Sequence, residues 1–145
     1  MTKKTLNVLI RFPVRLLALA LVFLLVALLA ACSGSGGSSA DPAGAAVETY
    51  LQAIVEANTD GAARVACADW ESSARDEVAS FQGVKARLEN VDCKTESTGS
   101  GTATVGCTGA IVATYNNEDQ SFDLKDRKFT AVERDGEWLV CGYGE

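Results

Sequence analysis

Five cysteines and no histidine bound the chemistry open to this sequence. Without histidine, Ser-His-Asp and Cys-His nucleophilic catalysis, histidine-ligated metals and the commonest general base are excluded. No C-x-x-C is present, so disulfide exchange of the thioredoxin kind is not expected. Cys67, Cys93, Cys107 and Cys141 also lack the short pairwise spacing from which structural zinc sites are built. A set of carboxylates and hydroxyls remains. Tyr50 and Tyr115 read as core tyrosines with polar tips, and Asp69 and Glu71 as carboxylates at a helix end. Trp70 and Trp138 read as core or rim packing. Tyr50, Trp70 and Tyr115 are the candidate ligand contacts; no catalytic or metal-binding residue and no cofactor is expected.

Other groupings offer less. Glu118, Asp119, Asp123 and Asp126 are acidic neighbours without the ligand spacing or turn glycine of a calcium loop. Lys125, Arg127 and Lys128 interleave with them, as on a solvated charged edge. Gly99, Gly101, Gly106 and Gly109 have no lysine in a phosphate-loop pattern and read as loop and sheet glycines.

Cys32 stands in a setting unlike the other four. Lys3, Lys4, Arg11 and Arg15 are the only charges in the first 40 residues, and Leu16 to Ala31 is an unbroken apolar run. A basic end, an apolar core and small residues before a cleavage point make a secretory signal. Sixteen residues would rise ~24 Å as a helix, short of the ~30 Å hydrocarbon core; an uncleaved anchor is the competing reading. Leu29-Ala30-Ala31-Cys32 resembles the lipobox of bacterial lipoproteins. The resemblance implies that Cys32 carries diacylglycerol and becomes the N-terminus once residues 1–31 are removed. Ser33 to Ala40 holds only Ser, Gly and one Ala, a flexible tether reaching ~16 Å. The expected organisation is a signal peptide over 1–31, a lipidated cysteine and tether over 32–41, and a domain over 42–145.

Cleavage there leaves 9 basic against 19 acidic side chains, net −10. Such a surface repels nucleic acid and anionic headgroups, so no nucleic-acid partner is expected. The expected partners are the membrane, through the lipid, and an envelope protein or small ligand.

The exported part reads as helices followed by strands. Asp41-Pro42 is a helix start, and Val47, Tyr50, Leu51, Ile54 and Val55 form a helical stripe. Asn58 to Gly61 breaks this helix and caps a second one. A third helix is predicted from about Glu71 to Ser80, with Trp70, Ala74, Val78 and Phe81 on one side and Gly83 at its end. After Gly83 the period becomes two. Turns are expected at Ser97 to Gly101, Asn116 to Asp119 and Asp135-Gly136, and a third strand at Ser121 to Val132 is interrupted by Lys125 to Lys128. The fold class is α+β, with N-terminal helices packed on a curved four-stranded antiparallel sheet.

Val47 to Ile54 as an opening helix, the two shorter helices, a curved sheet and the closing Asp135-Gly136-Glu137-Trp138-Leu139-Val140 resemble the nuclear-transport-factor-2-like, or cystatin-like, fold. The resemblance covers residues 42 to 143 and is greatest to small bacterial lipoproteins of unknown function. It implies a cone-shaped pocket that hosts isomerases, dehydratases, binding modules and inert interaction domains alike. By the same resemblance, isomerase-like members use a pocket Asp with a Tyr donor, a pair that Asp69 or Glu71 with Tyr50 or Tyr115 could imitate.

Four cysteines in an exported domain read as two disulfides with three possible connectivities. If the loop at Ser97 to Gly101 joins adjacent strands, Cys93 faces Cys107, and Cys67 on the second helix meets Cys141 on the last strand. Three functions remain open: a non-enzymatic membrane-tethered binding domain, a small isomerase or dehydratase using pocket carboxylates, and a structural spacer.

Overall fold

A computed structural model describes residues 41–144. The signal-like segment, Cys32 and the Ser/Gly tether lie outside the described residues.

Asp41 caps the first helix, α1 (Pro42–Val55), by accepting from the Gly44 N–H at 2.9 Å. Pro42 fits at the first turn, where the missing N–H has no helical partner to lose. The same carboxylate accepts from the Thr95 N–H at 2.6 Å and the Thr95 hydroxyl at 2.7 Å, so it also ties the helix to the sheet. Val47, Tyr50, Leu51 and Ile54 are buried along the stripe that the sequence marks out. Asn58 caps α2 (Thr59–Val65) through the Gly61 N–H, and α3 (Glu71–Ser80) follows. Ala74 and Val78 are the buried residues of α3.

Five antiparallel strands complete the domain: β1 (Lys85–Gly99), β2 (Thr102–Tyr115), β3 (Glu118–Asp123), β4 (Lys128–Arg134) and β5 (Glu137–Gly144). The order is β1-β2-β4-β5, with β3 also paired to β2. The expected count of four is therefore corrected to five. The interruption in the third predicted strand is a full break, and its two halves share one edge of β2. β4 pairs along Thr102 to Gly106 and β3 along Ala110 to Tyr115. At the break, Leu124 is fully buried and its N–H donates to the Gly109 carbonyl at 3.0 Å. A buried leucine anchoring a charged corner explains why Lys125 to Arg127 leave the sheet.

Each hairpin turns on two residues with positive φ: Ser100-Gly101, Asn116-Asn117 and Asp135-Gly136. That conformation matches the twist of the flanking strands. The second turn is thus shorter than expected, and Glu118 and Asp119 belong to β3. The sheet curves where Asn90 and Val91 of β1 oppose the single Gly109 of β2, a bulge between Glu89↔Ala110 and Asp92↔Thr108. Gly109 has φ +85°, and a Cβ there would lie 2.5 Å from the Asn90 carbonyl oxygen. Only glycine lets the strands cross this bend. The bent sheet wraps α1, whose apolar stripe packs with Val105, Phe129, Ala131 and Val140 in one core.

Two disulfides staple the layers. Cys93 bonds Cys107 across the paired strands β1 and β2, and Cys67, just past α2, bonds Cys141 on β5. The second staple is flanked by a hydrogen bond from the Cys67 N–H to the Val140 carbonyl at 2.8 Å. No helix among the described residues is long and apolar enough to cross a membrane.

Candidate ligand cavity

A cavity of about 230 Å³ opens between α1, α3 and the concave side of the sheet. Leu51 and Ile54 of α1 form part of its floor, and Ile111, Phe122 and Phe129 contribute from the sheet. Tyr115, Phe122 and Tyr143 line this cavity and are also the exposed large apolar side chains of the described residues. Two charged residues face it, Glu77 of α3 and Arg127 of the β3–β4 corner.

Glu77 is half-buried and held by a directional relay. The Trp70 indole N–H donates to the Tyr50 hydroxyl at 3.1 Å, and that hydroxyl donates to Glu77 Oε2 at 2.9 Å. An indole nitrogen can only donate, so the Tyr50 proton must point onward to the carboxylate. Tyr50 itself is fully buried. Burial pushes the Glu77 pKa above the usual carboxylate range, while Tyr50, Tyr143 and Arg127 pull it back in part. Burial, and then the Glu77 charge, raises the Tyr50 phenol; the same two causes raise Tyr143. The Arg127 guanidinium lies over the Tyr143 ring, 5.0 Å from its centroid, and Trp70 and Phe129 pack against that ring at 5.8 and 5.4 Å. Tyr143 thus packs among Arg127, Trp70 and Phe129 in the cavity that Glu77 also lines.

A larger space of about 730 Å³ is a surface groove between α1, α2 and β1, with Glu48, Glu56 and Arg64 among its polar residues. Glu56 and Arg64 are exposed, and Glu48 is engaged by the Cys93 N–H at 2.9 Å. The smaller cavity, with an apolar wall and a few fixed polar groups, has the composition of a ligand site.

The comparisons bear on the fold. A candidate polyketide cyclase from Xanthomonas campestris pv. campestris aligns over 72% of this chain and 90% of its own at 14% identity, with a TM-score of 0.51. The fold is cystatin-like. An uncharacterized protein with a cystatin-like fold from Caulobacter vibrioides covers 71% of this chain and 84% of its own at 14% identity and a TM-score of 0.48. A protein of unknown function with the same fold from Nostoc punctiforme covers 68% and 83% at 9% identity, TM-score 0.46. No family model and no curated protein matches the chain. A likeness at identities this low bears on fold and not on activity.

Of the candidate ligand contacts, Tyr115 lines the cavity, but it is 38% exposed at the rim rather than a core residue. Tyr50 lies behind the wall and acts on the cavity through Glu77. Trp70 stands a layer further back, against Tyr143. Asp69 and Glu71 lie at the start of α3, as carboxylates at a helix end: Asp69 is exposed, and Glu71 pairs with Arg75 at 2.7 Å. Asp119 pairs with Arg87 at 2.9 Å and Asp123 with Lys125 at 3.6 Å, as on a solvated edge.

Sequence reasoning missed Glu77, Arg127 and Tyr143. For Glu77 a signal existed. It falls three residues after Ala74 and four before Phe81, inside the apolar stripe of α3, where a carboxylate is out of place. Arg127 and Tyr143 carry no such mark, because the corner and the last strand meet only in the folded chain.

Proposed function

We propose that this chain is a bacterial envelope lipoprotein, tethered through diacylglycerol on Cys32, whose cystatin-like domain binds a small ligand in the cavity beside Glu77. The carrying observation is the half-buried Glu77 carboxylate, fixed by the Trp70–Tyr50 relay and facing an apolar space. Holding a carboxylate there costs stability, and a bound donor would recover part of that cost. The spacer reading needs a filled concave face and loses support from an unfilled one. The lipobox and the Ser/Gly tether support the anchor, and two disulfides suit an oxidising compartment. The intact mass of protein from its native membrane tests the tether. Residues 32–145 plus acyl chains, with four thiols alkylated only after reduction, is the expected result. A full-length mass with five free thiols would defeat it.

Ligand binding is tested by recording amide NMR shifts of the full chain against a library of small apolar amines, alcohols and acids. Hits should shift Glu77, Tyr115 and Tyr143 together, and weaken in Glu77→Gln. A library that moves none of these signals would refute the reading.

A second reading is acid–base catalysis on the bound molecule, favoured by a carboxylate that lines the cavity and whose pKa burial raises above the usual carboxylate range. Incubation in deuterated water separates the two. An isomerase or dehydratase would wash deuterium into carbon positions of the ligand, and Glu77→Gln would abolish this. A binding protein returns the ligand unlabelled.

A further inference from the structure

Glu77 and Arg127 face the same small cavity from opposite elements, and they are not paired with each other. Tyr143 lines the cavity with both, its ring under the guanidinium. Arg127 forms no ion pair among the described residues. Asp123 and Asp126 share a neighbouring recess with it, but Asp123 pairs with Lys125. The cavity thus presents one negative and one positive group, with Leu51, Ile54, Ile111 and Phe129 among its apolar lining.

Each charge sets a demand. One Glu77 oxygen accepts from Tyr50, and a carboxylate has lone pairs left for a second donor. Because the relay runs from Trp70 through Tyr50, the carboxylate is held as an acceptor; the complement is an N–H or O–H group, best a cationic one. Arg127 offers only donors, and its forked guanidinium matches a carboxylate. A simple amine would satisfy the first group and be repelled by the second. A simple acid would do the reverse. The volume of about 230 Å³ is below the usual range for drug-sized ligands, which starts at ~300 Å³.

We propose that the cavity binds a small zwitterion, an α-amino acid with an apolar side chain, whose ammonium group meets Glu77, whose carboxylate meets Arg127, and whose side chain lies on Leu51, Ile54 and Phe129. This rests on the small-ligand reading above and names its ligand class.

Calorimetric titration of the full chain at neutral pH tests it with valine, leucine, isoleucine, methionine and phenylalanine. Each is paired with its decarboxylated amine and its deaminated acid. At least one amino acid should bind about tenfold or more tighter than either of its single-headed counterparts, since each charge-assisted bond is lost in turn. Arg127→Met should bring that amino acid down to the affinity of its amine in the same variant, while the amine binds at least as tightly as to the parent, its repulsion by the guanidinium gone. Glu77→Gln should bring it down to the affinity of its acid. Melting temperatures check that both variants fold, and the comparison among ligands needs no variant. Amines that bind as well as their amino acids, or indifference to Arg127→Met, would overturn the zwitterion and leave the small-ligand reading standing. Binding of neutral fragments but of no amino acid would do the same. No binding by any amine, acid, amino acid or fragment would overturn both.

Discussion

The Tyr50 hydroxyl donates to Glu77 Oε2 across 2.9 Å, joining the buried face of α1 to the cavity side of α3. Removing that oxygen strands two groups at once. The Trp70 N–H loses its acceptor, and the carboxylate loses the donor that holds it. Tyr50→Phe keeps the ring and its packing, so the loss should come from the polar relay, about 1–3 kcal/mol. Urea unfolding followed by tryptophan fluorescence reads it directly. An unchanged midpoint would mean that the relay contributes nothing to the fold.

Glu77 should give the protein an inverted pH dependence at one site. Burial raises its folded pKa above the ordinary 4.5, although Tyr50, Tyr143 and Arg127 offset part of the shift. Between the unfolded and folded values the native state holds a proton that the unfolded chain has released. Stability from this residue is therefore full below the unfolded pKa and falls as pH rises through the folded one. Glu77→Gln removes the titration. The melting temperature of the variant minus that of the parent should become more positive as pH rises from about 4.5. A difference that stays flat, or moves the other way, would show that the carboxylate is not desolvated.

The contrast between Asp41 and Glu77 shows which parts of this molecule are legible in its sequence. Asp41-Pro42, Asn58 and Asp135-Gly136 act through neighbours a few residues away, so their caps and turn follow from local chemistry. Cys93 and Cys107 were within reach because a hairpin makes sequence distance a register. The cavity depends on pieces brought together from α3, the β3–β4 corner and β5. Glu77 looks like one more polar residue between Asp76 and Val78 until its place on the apolar stripe is noticed. Tyr115 misleads in the opposite sense, since alternation puts it on the core face while the strand runs out of core to cover it. The fifth strand was half visible: charges at Lys125 to Lys128 marked the break, but only the burial of Leu124 shows that the chain turns a corner there.

Asp41 behaves in the ordinary direction. Burial alone would raise its pKa, but hydrogen bonds from Thr95 and Gly44 outweigh it and hold the carboxyl below 3.8. Its stabilisation is present above that value and is lost as pH falls through the lowered folded pKa. Asp41→Ala removes a helix cap and the tie to β1 together, so the loss should reach or exceed the ~1 kcal/mol typical of a cap alone. Thr95→Val keeps the cap and loses only the hydroxyl bond at 2.7 Å, and should cost less. Denaturation of the two variants at neutral pH gives the order. Equal losses would mean that the link to the sheet, rather than the cap, carries the effect.

The two disulfides differ in how much chain they close. Cys67 and Cys141 are 74 residues apart, Cys93 and Cys107 only 14. In the chain-entropy account the long loop contributes ~4.5 kcal/mol and the short one ~3 kcal/mol. Replacing Cys67 and Cys141 with serine should therefore destabilise the domain more than the same change at Cys93 and Cys107, by about 1–1.5 kcal/mol. Its local effect should also be distinct. Ala66 bridges Val140, and the Cys67 N–H bonds the Val140 carbonyl, so the long staple holds the end of α2 against β5. Tyr143 lies two residues beyond Cys141 on that strand and lines the cavity under Arg127. Hydrogen exchange should therefore quicken in β5 and at the end of α2 when the long staple is removed, and cavity binding should weaken. Opening the short staple should leave the cavity intact, because β1 and β2 stay in register through their ladder on both sides of Cys93 and Cys107. If the short staple proves the costlier to remove, loop closure is not what sets the stability of this domain.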